Sequence, residues 1–246
     1  MQSKKNYFCI PKLIISMAKQ NQKDIDPVLN VEEALTSTEK FIEKNKKTLG
    51  GVLIAVLLIV LAVVGYNRYI STPKELNAQS AMFQAEFFFE KDSFNLALNG
   101  GNGHPGFLEV INEFGGTKAA SLAHYYAGVC YLNLKQYAEA VDHFDDYSGK
   151  DIIISSMALG LKGDALVELG KFDEAATAYI KAAGKSENSL TSPMYLLKAA
   201  FVYEELSNFE KARDAYQKIR KDYFLSAESR DAERHLARVE AILSSK

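Results

Sequence analysis

Few side chains in this sequence could do chemistry, and their spacing limits what they can do. Histidines stand at His104, His124, His143 and His235. Two metal ligands on one helix must sit about one turn apart, and a catalytic base needs a partner to orient it. None of the four has another histidine at such an offset, so they read as ordinary helix residues. Asp142, Asp145 and Asp146 form a tight acidic group that reads as a solvated face rather than a cation site. Asp173, Glu174, Glu204 and Glu205 likewise read as surface charges. Cys9 and Cys130 are the only cysteines, too few for a disulfide framework and too distant for zinc spacing. No apolar stretch leads into Cys9 as a lipid acceptor would need, and Cys130 reads as buried packing.

The glycine-rich stretch "LNGGNGHPG" (98–106) is the one candidate for phosphate binding. A nucleotide loop requires a lysine and a hydroxyl opening a helix after a strand. Here Phe107 follows and no strand pattern precedes, so the stretch reads as a flexible loop. No serine or cysteine nucleophile stands in a recognisable motif. The expectation is a protein that is not an enzyme, with no cofactor, no metal and no small-molecule substrate. A net charge of −2 over 246 residues, without a basic stripe, also argues against nucleic acid.

The elements that must position these residues are helical. Five prolines and no tryptophan suit an all-α chain better than a sandwich or barrel. "TLGGVLIAVLLIVLAVVGYN" (48–67) carries no charge, and as a helix it would be about 30 Å long, the thickness of a hydrocarbon core. Tyr66 and Tyr69 mark an aromatic belt at its far end. The polar stretch before it is too long for a cleaved signal peptide, so a permanent span over 48–70 is expected. Lys40, Lys44, Lys46 and Lys47 crowd its N-terminal flank, against Arg68 and Lys74 beyond. The positive-inside rule then places the N-terminus in the cytoplasm and the bulk of the chain across the membrane. Residues 1–47 form the cytoplasmic tail, with an amphipathic helix capped by Asn30 and striped by Val31, Ala34, Leu35, Thr38, Phe41 and Ile42. Met17 is a candidate translational start.

Beyond the span a pattern repeats. Gly128, Ala140 and Phe144 follow the rule small–(12)–Ala–(4)–aromatic, as do Gly163, Ala175 and Tyr179, and Ala200, Ala212 and Tyr216. The reference positions lie 35 and 37 residues apart, the length of a helical hairpin. Small residues let paired helices approach closely, and the aromatic is expected to fill the wedge between consecutive hairpins. "LKQYAEA", "LGKFDEA" and "LSNFEKA" supply the short turns within each pair.

On these residues the chain resembles the tetratricopeptide-repeat family. The resemblance implies three repeats over 121–226, a capping helix over 227–246 and a divergent first hairpin over 75–120. It departs from the family at its first aromatic, where His124, Leu159 and Leu196 stand, and at Ala200 in place of glycine. Family register would line a groove with Tyr125, Val129, Leu132, Asn133, Asp164, Glu168, Leu197, Phe201 and Glu205, though several of these also suit a core position. The lysine–asparagine clamp for a C-terminal carboxylate is missing at Tyr125 and Val129, so apolar segments with a basic flank fit better.

The layout of tail, span and repeat array resembles the ancillary subunit of the SecYEG translocon. It implies an inner-membrane, single-pass protein with a periplasmic repeat domain. Its partners would be Sec translocon subunits, periplasmic chaperones or nascent exported chains. The alternative is an envelope-assembly or cell-division adaptor bound to another membrane complex.

Overall fold

The computed structural model describes residues 27–101, 103–185 and 187–245, with side chains from residue 39 onward. Met17, Cys9 and the rest of 1–26 lie outside the described residues. Contacts divide the chain into two units, residues 1–64 and 65–246. Helices account for the fold, and the described residues contain no strand.

Helix α1 covers Pro27–Tyr66, so Asn30 lies inside it rather than capping it. Its apolar side chains from Val52 to Val64 are all exposed, at 50% or more. This helix is long and apolar enough to cross a membrane.

The 65–246 unit opens with a π-helical turn, Asn67–Ser71, and continues into α2, Thr72–Glu90. Pro73 follows closely; it has no N–H, and in a regular α-helix its ring would crowd the carbonyl four residues back. Widening one turn avoids that clash without ending the helix. Both the backbone N–H and the hydroxyl of Thr72 donate to the Asn67 carbonyl, five residues earlier.

Among the described residues ten α-helices build this unit. After α2 come two short ones, α3 (Phe94–Asn99) and α4 (Phe107–Glu113). Three hairpins follow: α5 (Lys118–Asn133) with α6 (Tyr137–Asp146), α7 (Ile152–Glu168) with α8 (Phe172–Gly184), and α9 (Ser192–Glu205) with α10 (Phe209–Asp222). Helix α11, Ser229–Ser244, closes the series against α10. Side chains cap several starts. Thr117 Oγ1 accepts from the Ala120 N–H at 3.0 Å, Asp151 Oδ1 from Ile154 at 2.8 Å, and Asn208 Oδ1 from Lys211 at 3.3 Å.

Each hairpin turns in the same way. The residue after the closing leucine takes positive φ, at Lys135 (62°), Gly170 (71°) and Ser207 (54°). The next N–H then reaches back to a carbonyl five residues earlier: Gln136 to Tyr131, Lys171 to Leu166 and Asn208 to Tyr203. Asp92 (φ 55°) and Ser93, which donates to the Phe88 carbonyl at 2.9 Å, repeat the turn between α2 and α3.

The repeat rule therefore extends to the first hairpin. Ala85 and Ala97 stand twelve apart, and both are fully buried, as are Ala140, Ala175 and Ala212. Here the returning helix breaks at Gly100 and resumes at Phe107, whose buried ring stacks on Tyr126 at 5.1 Å. The two ends of the intervening loop pack closely on each other. Gly100 has φ +76°, and a Cβ there would lie 2.3 Å from the His104 carbonyl oxygen. A Cβ on Gly106 would lie 2.2 Å from that of Leu98.

The aromatic of the repeat rule packs inside its own hairpin and also against the next element, Tyr179 stacking on Tyr195 of α9 at 6.3 Å and Tyr216 on His235 of α11 at 5.6 Å. A Cβ on Gly128 would meet the Phe144 ring at 2.8 Å, and one on Gly163 would meet Tyr179 at 2.6 Å. Buried Ser156 and Ser192 donate to the carbonyls of Ala182 and Ala183, so the end of α8 is satisfied from both neighbouring helices.

Candidate partner-binding face

The nine residues expected to line a groove all project from α5, α7 and α9, the first helix of each hairpin. Tyr125, Val129 and Leu132 form one stripe on α5, half-buried against a core of Ala140, Phe144, Ala158 and Ala165. They divide their surface between core and solvent. The Tyr125 ring also meets those of Tyr126, Phe144 and Tyr147 at 5.7, 6.3 and 6.0 Å. Asn133 is exposed but turned back on its own helix, donating to the Val129 carbonyl at 2.8 Å. Glu168 is exposed beside Tyr137, whose hydroxyl pKa is raised by desolvation and then by this carboxylate.

Asp164 is engaged in packing rather than free to meet a ligand. It accepts from the Tyr179 hydroxyl at 2.5 Å and, through both oxygens, from Lys198 at 2.7 and 2.8 Å. This strut ties α7, α8 and α9 together. Desolvation, then the Asp164 hydrogen bond, pushes the Tyr179 hydroxyl well above its usual range.

A second strut has the same plan. Glu204 of α9 accepts from the Tyr216 hydroxyl of α10 and from Arg238 of α11, both at 2.6 Å. Its side chain is only 10% exposed, which overturns its reading as a surface charge. Arg238 also donates to His235 Nδ1 at 2.9 Å; a guanidinium only donates, so this nitrogen accepts. Sequence reasoning missed both struts, although a clue lay in the repeat aromatic. Where it is tyrosine, its buried hydroxyl needs an acceptor. Where it is Phe144, Val129 takes the position that Asp164 holds one repeat later.

Leu197 is half-buried against the core of the last hairpins. Phe201 is 40% exposed, its ring packed edge-on to His235 at 4.9 Å. Glu205 is exposed. Phe201, Glu204, Glu205, Phe209, Arg238 and Ile242 line an open cavity of about 370 Å³. A second cavity, of about 400 Å³, opens between α6, α7 and α8 and contains none of the nine. The structure thus makes a broad face and not one pocket. Gly160 shapes it: a Cβ there would lie 1.9 Å from the Tyr195 ring, which lies flat on α7.

His124 and His143, nineteen residues apart, meet across the α5–α6 hairpin. Their Nδ1 atoms lie 3.1 Å apart, Tyr131 stacks on His143 at 5.1 Å, and Asp146 lies 3.9 Å from His124. Only one of the two Nδ1 atoms can carry the shared hydrogen. Desolvation lowers the pKa of both, and for His143 the neighbouring His124 adds to it. Among the described residues no three of His, Cys, Asp and Glu converge as metal ligands. Burial raises the Cys130 thiol to about 12, far from a nucleophile's range.

Residues 122–150 and 161–223 each match a family model described as tetratricopeptide repeat. The first match lies over α5 and α6; the second begins in α7 and ends beyond α10. Repeats of this kind are a protein-interaction fold, which supports protein partners for this chain. No curated protein matches the chain closely enough to count as a relative.

Proposed function

We propose that this protein is a membrane-anchored interaction scaffold of the bacterial inner membrane, with a cytoplasmic N-terminus and a periplasmic repeat array. In this reading it is an ancillary factor of the Sec translocon that holds periplasmic chaperones or emerging chains near the export channel. The apolar α1 helix supports the anchor, and the lysines before it support the orientation. The observation that carries the binding role is the α5–α7–α9 face. Tyr125, Leu197 and Phe201 remain partly open there while Glu168 and Glu205 supply acidic margins. Such a surface suits an apolar segment with a basic flank.

Purification of the full-length protein from cells in a mild detergent tests the translocon assignment. Recovery of translocon subunits or periplasmic chaperones is the expected result. Recovery of a different envelope complex, with no translocon subunit, would overturn it in favour of the adaptor reading.

A further inference from the structure

The two edges of the 65–246 unit differ in character. One edge carries the turns within hairpins and exposes Lys135, Gln136, Lys171 and Ser207, with Leu134 and Leu169 only 36% and 38% exposed. The other carries the connections between hairpins. There Ile152 and Ile153 are 58% and 48% exposed, Leu190 69%, Phe224 67% and Leu225 87%. Single exposed apolar residues are ordinary, but five gathered on one edge, two in the first turn of α7 and three on loops, call for a partner.

Hydrogen bonds trace this edge to the start of the unit. Helix α2 begins at Thr72, directly after the apolar segment and Tyr69. The Glu75 carboxylate accepts from the backbone N–H groups of Lys118 and Ala119 at 2.7 and 3.0 Å, and Lys74 donates to the Gly115 carbonyl at 2.7 Å. These bonds pin the first inter-hairpin loop beside the start of α2. Ser148, in the next such loop, donates its N–H to Ser121 in the first turn of α5 at 3.0 Å. Residues 150–153 and 188–190 then line one open cavity of about 670 Å³. The final loop follows at the end of α10, the helix paired with α9.

We propose that this edge lies on the lipid surface, with Ile152, Ile153, Leu190, Phe224 and Leu225 inserted among the headgroups and upper acyl chains. The inference rests on α1 being a membrane anchor. Apolar residues on the same edge as the start of α2, where the chain leaves the bilayer, have that bilayer as their nearest apolar phase. Lys150, Lys185 and Arg230 on these loops are matched by Asp151, Glu187 and Glu228. Apolar insertion, not attraction to anionic lipid, therefore drives the contact, and it persists on a zwitterionic surface.

The test uses the full chain, with Cys9 changed to Ser, reconstituted in phosphatidylcholine vesicles. Single nitroxides are attached at Ile153→Cys, Leu190→Cys and Leu225→Cys, at Lys171→Cys on the opposite edge, and at Leu57→Cys in α1. Accessibility to oxygen is compared with accessibility to a water-soluble nickel chelate. The expected result is lipid-type accessibility at 57, a several-fold higher oxygen-to-nickel ratio at 153, 190 and 225 than at 171, and water-type accessibility at 171. Ratios at 153, 190 and 225 equal to that at 171, with 57 still in lipid, would overturn the proposal and leave the anchor standing. Water-type accessibility at 57 would instead overturn the anchor, and this inference with it. Spin–spin broadening at 190 or 225 without a lipid signal would assign the edge to a second copy of the chain and overturn the lipid contact.

Discussion

Tyr179 shows how one atom changes the job of a residue. Its ring does what Phe144 does one repeat earlier, but its hydroxyl recruits Asp164, and Asp164 recruits Lys198 from the next hairpin. Tyr179→Phe should lower stability by about 1.5–3 kcal/mol, the worth of a hydrogen bond to a charged acceptor. Lys198→Met should cost a similar amount, and the double variant less than the sum, because the two share one carboxylate. Urea unfolding of the full chain in detergent measures all three, and strict additivity would contradict the strut. The histidine pair gives a pH dependence. Both folded pKa values lie below the ordinary 6.5, so in that interval the unfolded chain binds more protons. Stability is then complete above roughly pH 6.5 and falls as pH drops through the folded values. His143→Phe keeps the stack on Tyr131 and should flatten this acid limb. An unchanged limb would show that the pair does not titrate with folding.

At the scale of elements, the turns set the hairpins. Ser207 adopts a left-handed backbone that glycine takes at Gly170 of the preceding hairpin. Ser207→Gly should raise stability by about 0.5–1 kcal/mol, and Gly170→Ala should lower it by about 1 kcal/mol. A loss of stability in Ser207→Gly would contradict this account of the turn. Much of this scale was legible in the sequence. The small–Ala–aromatic spacing located three hairpins because close packing tolerates no other residue sizes there. The first hairpin obeys the same rule through Ala85 and Ala97, but the inserted Gly100–Gly106 loop removes its aromatic and breaks its second helix. "KDSF" at 91–94 is the same turn as "LKQY", and it was hidden inside an apparently continuous helical pattern. The binding face was less legible than the fold. Asp164 and Glu204 look like any surface acids until the hairpins bring Lys198 and Arg238 to them. His124 and His143 become neighbours only when α6 folds back on α5.

As a whole molecule, the chain joins an apolar helix suited to a bilayer with a helical-hairpin array. Hairpins of this kind contact mainly their neighbours, so struts such as Asp164–Lys198 and Glu204–Arg238 act locally on the geometry of the α5–α7–α9 face. Its function as a scaffold requires that this face, and not the acidic face of α6, meets the partner. Photoreactive residues placed at Tyr125, Leu197 and Phe201, with Asp142 as the control, test that requirement in intact cells. Crosslinks to translocon subunits or periplasmic chaperones from the first three positions, and none from Asp142, are the predicted result. Crosslinks from Asp142 alone would place the binding surface on the other helices of the hairpins and contradict the account.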